Sequence, residues 1–188
     1  MTPFNPQAVD YPRADRGFDV GLRDMITHLP EHLVMAEIGL FSGASTTIFL
    51  TSGKVDKLYA VDSWCNYAED AVPYWTPFTW QDVRDTFMAG PGQRAEVTVL
   101  AMPSLEGAAQ IADGTLDFVY IDANHAYDYI KADLTAWLPK VRTNGWLGGH
   151  DYWPRSPGVV RAVTELGLGA PLTFSDSSWL LRLPAGAP

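Results

Sequence analysis

LDFVYIDANHAYDYIKADLTAWL, residues 116–138, changes its periodicity half-way along. LDFVYID (116–122) is an almost unbroken apolar run ending in an acid, short enough for a strand covered on both faces. HAYDYIKADLTAWL (125–138) places apolar residues three and four apart, the spacing of one helix face. A buried strand that passes directly into an amphipathic helix is the building unit of a parallel sheet flanked by helices. The stretch predicts an α/β fold if its neighbours repeat the pattern.

They do. Upstream, FDVGLRDMITHL (18–29) suits a helix stopped by Pro30, LVMAEIG (33–39) a strand, and GASTTIFLTSG (43–53) a helix closed by Gly53. KLYAVD (57–62) and AEVTVLAM (95–102) read as further strands, and SLEGAAQIA (104–112) as a helix with Ser104 as N-cap. Downstream, GWLGGHD (145–151) reads as the fifth strand and GVVRAVTEL (158–166) as another helix. The tail APLTFSDSSWLLRLP reads as two strands around a polar turn, an antiparallel addition at the sheet's end. Two regions stand apart. Residues 1–16 form an irregular, proline-bearing arm. Residues 63–92 carry Trp64, Tyr67, Tyr74, Trp75, Phe78 and Trp80, an aromatic lid or acceptor pocket with a helix at 79–89. The whole of 1–188 is read as one domain.

Composition narrows the function. The net charge is −9 with 13 scattered Lys and Arg, which argues against nucleic-acid binding. No apolar run approaches the roughly 18 residues that span a bilayer, and the N-terminus lacks the order of a signal peptide. Cys65 is the single cysteine, which excludes a disulfide framework and fits a reducing compartment. A cytoplasmic protein acting on a small molecule is expected, with no nucleic-acid or membrane partner; the aromatic region leaves a homo-oligomer open.

In open parallel sheets ligands sit beyond the carboxyl ends of the strands, where the polar residues of interest fall. AEIGLFSGAST (36–46) brings Glu37, Gly39 and Gly43 to a strand–turn–helix corner whose glycines let a ligand approach the backbone. It matches neither GxGxxG, nor a phosphate loop, nor a nucleophile elbow, so nicotinamide, nucleotide-hydrolysis and serine-hydrolase readings weaken. Asp62 ends the second strand, where an acid accepts hydrogen bonds from ribose hydroxyls. Trp64 suits an adenine ring, and Ser104 falls on the same rim. Together these favour a nucleoside ligand.

The segments ExGxxxGxST, VDSW, MPSLEGAA, DFVYIDANHAYDYIKADLTAWLPKV and GGHDYW, in that order, resemble class I S-adenosylmethionine-dependent methyltransferases. More narrowly they resemble the small-molecule group labelled methyltransferase 24 or cephalosporin hydroxylase-like, over roughly residues 30–183. The resemblance implies a Rossmann-like sheet of seven strands, mostly parallel with an antiparallel C-terminal strand, and helices on both faces. It implies S-adenosylmethionine as cofactor. Glu37, Gly39 and Gly43 would line its methionine and ribose portion, and Asp62 would hold the ribose hydroxyls. Ser63 and Trp64 would flank the adenosine, and Met102 and Ser104 would border the adenine.

The same sheet order makes the fourth and fifth strands neighbours, so Asp122, His150 and Asp151 converge within about 5 Å. Two carboxylates and an imidazole at one place are costly unless they share a cation or a proton. The resemblance to sugar and catechol O-methyltransferases implies a divalent ion, Mg²⁺ or Mn²⁺, held by Asp122, His150 and Asp151. His150 departs from the acidic or amide residue of that pattern: either it favours a metal softer than magnesium, such as manganese, iron or zinc, or it is not a ligand at all. His125 matches the position of a general base, with Asp122 and His150 beside it. His28 and His32 read as structural, and Tyr127, Tyr129 and Trp137 as packing. O-methylation of a small acceptor is the leading expectation. The alternatives are a metal-dependent hydrolase or hydroxylase-type enzyme, and a cofactor-binding protein without catalysis.

Overall fold

The computed structural model describes residues 18–65 and 78–185; the expected N-terminal arm and the aromatic residues 66–77 lie outside them. The described chain runs α1 (Phe18–Thr27), β1 (Leu33–Ile38), α2 (Ala44–Thr51), β2 (Val55–Val61) and α3 (Trp80–Ala89). It continues through β3 (Val97–Leu100), α4 (Ser104–Ala109), β4 (Leu116–Ile121), α5 (Tyr127–Trp137) and β5 (Val141–Gly149). The last elements are α6 (Pro157–Thr164), β6 (Leu172–Thr173) and β7 (Trp179–Arg182).

The strands form one seven-stranded sheet in the order β3-β2-β1-β4-β5-β7-β6. β1 to β5 are parallel, and β7 runs antiparallel to β5 and β6. This is the Rossmann-like sheet of seven strands, mostly parallel with an antiparallel C-terminal strand, that the resemblance implied. Alternation along the strands separates two apolar layers. Ala36, Ile38, Val119, Ile121 and Leu147 face Ala108, Ile130, Leu134, Trp137 and Val159 of α4, α5 and α6. Met35, Leu58, Phe118 and Tyr120 face Leu22, Met25, Phe49, Val83 and Phe87 of α1, α2 and α3. Trp137, expected as packing, is fully buried, while Tyr129 is largely exposed. No helix among the described residues is long and apolar enough to cross a membrane.

Two element boundaries differ from expectation. β5 starts at Val141 instead of Gly145, because its polar first half pairs with β4 where Arg142 meets the Asp117 carboxylate. α4 starts at Ser104 itself, and Pro103 takes the N-cap position. Ser104 is therefore no cap. Its hydroxyl accepts from Trp137 Nε1 at 2.9 Å, tying α4 to α5.

The order of strands decides where a ligand can sit. The order of strands reverses between the parallel neighbours β1 and β4, so the loops after those strands diverge and leave a crevice at their carboxyl ends. Residues 39–43, Asp62, Asp122 and Asp151 follow the four strands around it.

Candidate active site

A cleft of about 250 Å³ opens at this point, lined among the described residues by Gly39, Phe41, Asp62, Cys65, Trp80, Asp122, Ala123, Asn124 and His125. Its back wall follows from one close approach. Asp122 N donates to Ile38 O at 2.8 Å, and a Cβ on Gly39 would stand 2.2 Å from Asp122 O. Only glycine, here at φ +83°, fits between the two strands.

Asp62 organises the next wall. Its Oδ2 accepts from Leu40 N at 2.8 Å and Phe41 N at 3.1 Å, and its Oδ1 from Trp64 N at 2.7 Å. Burial raises its pKa, and these backbone donors oppose the rise. One carboxylate thus anchors the glycine loop to β2 and lines the cleft. Phe41 and Trp80 meet edge to face across 6.1 Å to form the apolar side.

The reactive group lies opposite. His125 Nε2 is 2.9 Å from Asp151 Oδ2 and 3.5 Å from Asp122 Oδ1. One donor atom from each of the three residues falls within 4.8 Å of the others. Burial alone would lower the His125 pKa, but hydrogen bonds to Asp122 and Asp151 outweigh it and push it up to about 10. Burial would likewise raise the Asp151 carboxyl, yet His125 and His150 hold it well below the usual carboxylate range. The pairing with Asp122 and Asp151 thus favours the imidazolium form of His125 at neutral pH.

His150 is not the third member of this group, contrary to expectation. Its backbone still pairs with β4 (His150 N to Ile121 O, 3.1 Å), and its ring is buried, with Nδ1 3.2 Å from Asp151 Oδ2. Asp151 leaves the strand in a left-handed conformation, φ 62°, and so turns back to the rim. His150 supports Asp151 from behind, and His125 meets it from the front.

The family model described as a methyltransferase domain matches residues 36–152, which hold every group just placed. The chain belongs to this methyltransferase family. Similar solved structures agree on the fold. The O-methyltransferase NovP aligns with a TM-score of 0.63 at 16% identity, over 87% of this chain and 78% of that one. A Corynebacterium glutamicum protein gives 0.60 at 14% identity, over 88% and 80%. A candidate S-adenosyl-L-methionine-dependent methyltransferase of Methanococcus maripaludis gives 0.61 at 9% identity, over 89% and 84%. No curated protein matches the sequence significantly.

In this methyltransferase, two of the residues expected against the cofactor, Trp64 and Gly43, are packed against neighbouring elements. Trp64 is buried against Phe87 and donates from Nε1 to Phe41 O at 2.9 Å, so it braces the loop from below. A Cβ on Gly43 would meet Pro91 and Phe87, which places that glycine against α3. Ser63, Met102 and Ser104 are likewise outside the lining of the cleft. Phe41, Cys65, Ala123 and Asn124 line it and were not read as site residues from the sequence, whereas Trp80 belongs to the aromatic region named there. Asn124, lodged between Asp122 and His125, was the readable one.

Glu37 forms the buried floor of the methyltransferase. It is fully buried, accepts from Ser45 Oγ at 2.5 Å, and burial pushes its pKa to about 8. The folded state therefore holds a proton that the unfolded state releases near pH 4.5, so this residue's contribution to stability falls as pH rises from 4.5 towards 8. Glu37→Gln, which cannot ionise, removes that fall. Thermal melts should show the variant gaining on the wild type between pH 5 and 8; a constant difference would mean that Glu37 is already ionised.

Proposed function

We propose that the methyltransferase moves the methyl group of S-adenosyl-L-methionine onto an oxygen of a small-molecule acceptor. The observation that carries this reading is His125 set between Asp122 and Asp151 on the rim of the cleft that Gly39 and Asp62 define. Methyl transfer from a sulfonium needs little beyond alignment and removal of the acceptor's proton. Gly39 and Asp62 supply the wall for the cofactor, and His125 Nε2 receives the hydroxyl proton. Phe41 and Trp80 hold the ligands' flat faces. The likeness to NovP, itself an O-methyltransferase, is consistent with oxygen as the target.

The donor set also fits a divalent cation: two carboxylates and an imidazole whose atoms lie within 4.8 Å. Asp122 and Asp151, with His125 as a third ligand or as the released base, would hold it, and it would lower the pKa of an acceptor hydroxyl. Mn²⁺ or Mg²⁺ suits the carboxylates.

His125 gives the pH dependence its sign. With its pKa near 10, about one ring in a thousand is neutral at pH 7. In EDTA the rate should climb about tenfold per pH unit from 7 towards 10. A cation on the two carboxylates weakens the push on the ring, so Mn²⁺ should move the profile to lower pH. Methyl transfer from labelled S-adenosyl-L-methionine to a panel of hydroxylated compounds, with and without the ion, measures both. Calorimetry with S-adenosylhomocysteine tests the cofactor alone; no binding at millimolar concentration would overturn the reading.

A further inference from the structure

Asn124 stands between the two groups that face the acceptor, and its orientation follows from its surroundings. Amide oxygen and nitrogen are told apart by their partners. Here Ala126 N–H points at the side chain and requires an acceptor, so Oδ1 takes that bond at 2.8 Å. Nδ2 is left on the other side. The residue is only 8% exposed, lines the cleft, and Nδ2 has no hydrogen-bond partner among the described residues. A buried N–H₂ without a partner is rare in folded proteins and marks a place where a ligand supplies the acceptor.

The neighbours say which ligand atom that is. Asp122 and Asp151 only accept, and the N–H that His125 gains at Nε2 faces Asp151 Oδ2 at 2.9 Å, so the three remove a hydrogen without sparing a donor for the atom that loses it. Asn124 Nδ2, two residues from Asp122 and adjacent to His125 in the chain, supplies a neutral donor at the same rim. An oxygen nucleophile has a lone pair for the methyl carbon and a second for this donor. A neutral amine nitrogen has one lone pair and cannot do both. In the transfer the hydroxyl proton passes to His125, the C–O bond forms as the C–S bond breaks, and the sulfur keeps the bonding pair. Asn124 keeps its protons throughout.

We propose that Asn124 donates a hydrogen bond from Nδ2 to the acceptor's reacting oxygen and so selects oxygen over nitrogen as the atom to be methylated. This rests on the methyl-transfer reading above.

The test uses the full chain, ¹⁵N-labelled, with the Asn124 side-chain amide identified by its absence from Asn124→Asp. That variant keeps an oxygen for Ala126 N–H; Asn124→Ser serves if it does not fold. S-adenosylhomocysteine is added first, then catechol as probe, and selection is read separately from the products that S-adenosyl-L-methionine and 2-aminophenol give. The amide signal should stay in place with S-adenosylhomocysteine alone and move with catechol, and the Asn124 variant should lose the wild type's preference for the oxygen of 2-aminophenol over its nitrogen. Movement with S-adenosylhomocysteine alone would assign the donor to the cofactor, a signal unmoved by catechol would remove the contact, and an unchanged ratio of O- to N-methylated product would remove the selection; each overturns the proposal. If S-adenosylhomocysteine does not bind, the methyl-transfer reading itself fails. Binding with a silent amide sinks only the role of Asn124.

Discussion

His125→Ala lowers the rate of methyl transfer by about 100-fold or more and leaves S-adenosylhomocysteine affinity within about twofold, the signature of a lost general base. The asymmetry comes from position. The ring contacts Asp151 and Asp122, whereas the wall proposed for the cofactor is built by Gly39 and by the loop that Asp62 anchors. Single-turnover rates with saturating cofactor separate the two quantities. The same substitution leaves the buried Asp151 carboxylate without its partner in front, so stability changes as well. The His125 pKa is raised from 6.5 to about 10. Its contribution to stability is complete below pH 6.5 and lost as pH rises towards 10, so the gap between wild type and variant should narrow over that range. An unchanged rate together with that narrowing gap would show that His125 only balances charge.

Gly39→Ala is the most damaging single methyl group that the structure identifies. The new Cβ would meet Asp122 O at 2.2 Å and Asp122 C at 2.6 Å, both backbone atoms of a central strand's end, and φ is +83°. Left-handed backbone costs a non-glycine residue about 1–2 kcal/mol, and overpacking adds about 1–3 kcal/mol. The sum, about 2–5 kcal/mol, is a large part of a typical domain's stability. A fall in Tm of about 10 °C is expected, at about 3 °C per kcal/mol for a chain of this size. The cofactor affinity should fall with it, since Leu40 and Phe41 are bonded to Asp62 and the loop cannot move away freely. Gly53→Ala supplies the control. Its φ is +76°, but nothing lies within 4 Å of the added carbon, so it carries the backbone cost alone. Equal loss from both variants would show that the contact with Asp122 yields without cost.

The fold was legible in the sequence where local pattern and packing agree. LDFVYID and HAYDYIKADLTAWL became β4 and α5 within two residues, because a strand buried on both faces and a helix with one buried face leave different marks. Asp62, Asp122 and Asp151 were legible as strand-end acids. His150 and Trp64 were misplaced because side-chain direction at a strand's end depends on one backbone angle. Asp151 at φ 62° and Trp64 at φ 44° adopt conformations that no periodicity predicts. Asn124 was passed over for a different reason: its role depends on which side of its amide the chain occupies, and only the fold shows that.

The cleft arises where β1 meets β4, and the register pairs Glu37 with Tyr120 and Ile38 with Ile121. These partners are distant in the chain, so no contiguous peptide contains the site. The glycine loop and Asp62 come from the first half of the chain, and Asp122, Asn124 and His125 from the second. The cleft therefore exists only once β4 lies beside β1, so ligand binding there reports that the sheet is complete.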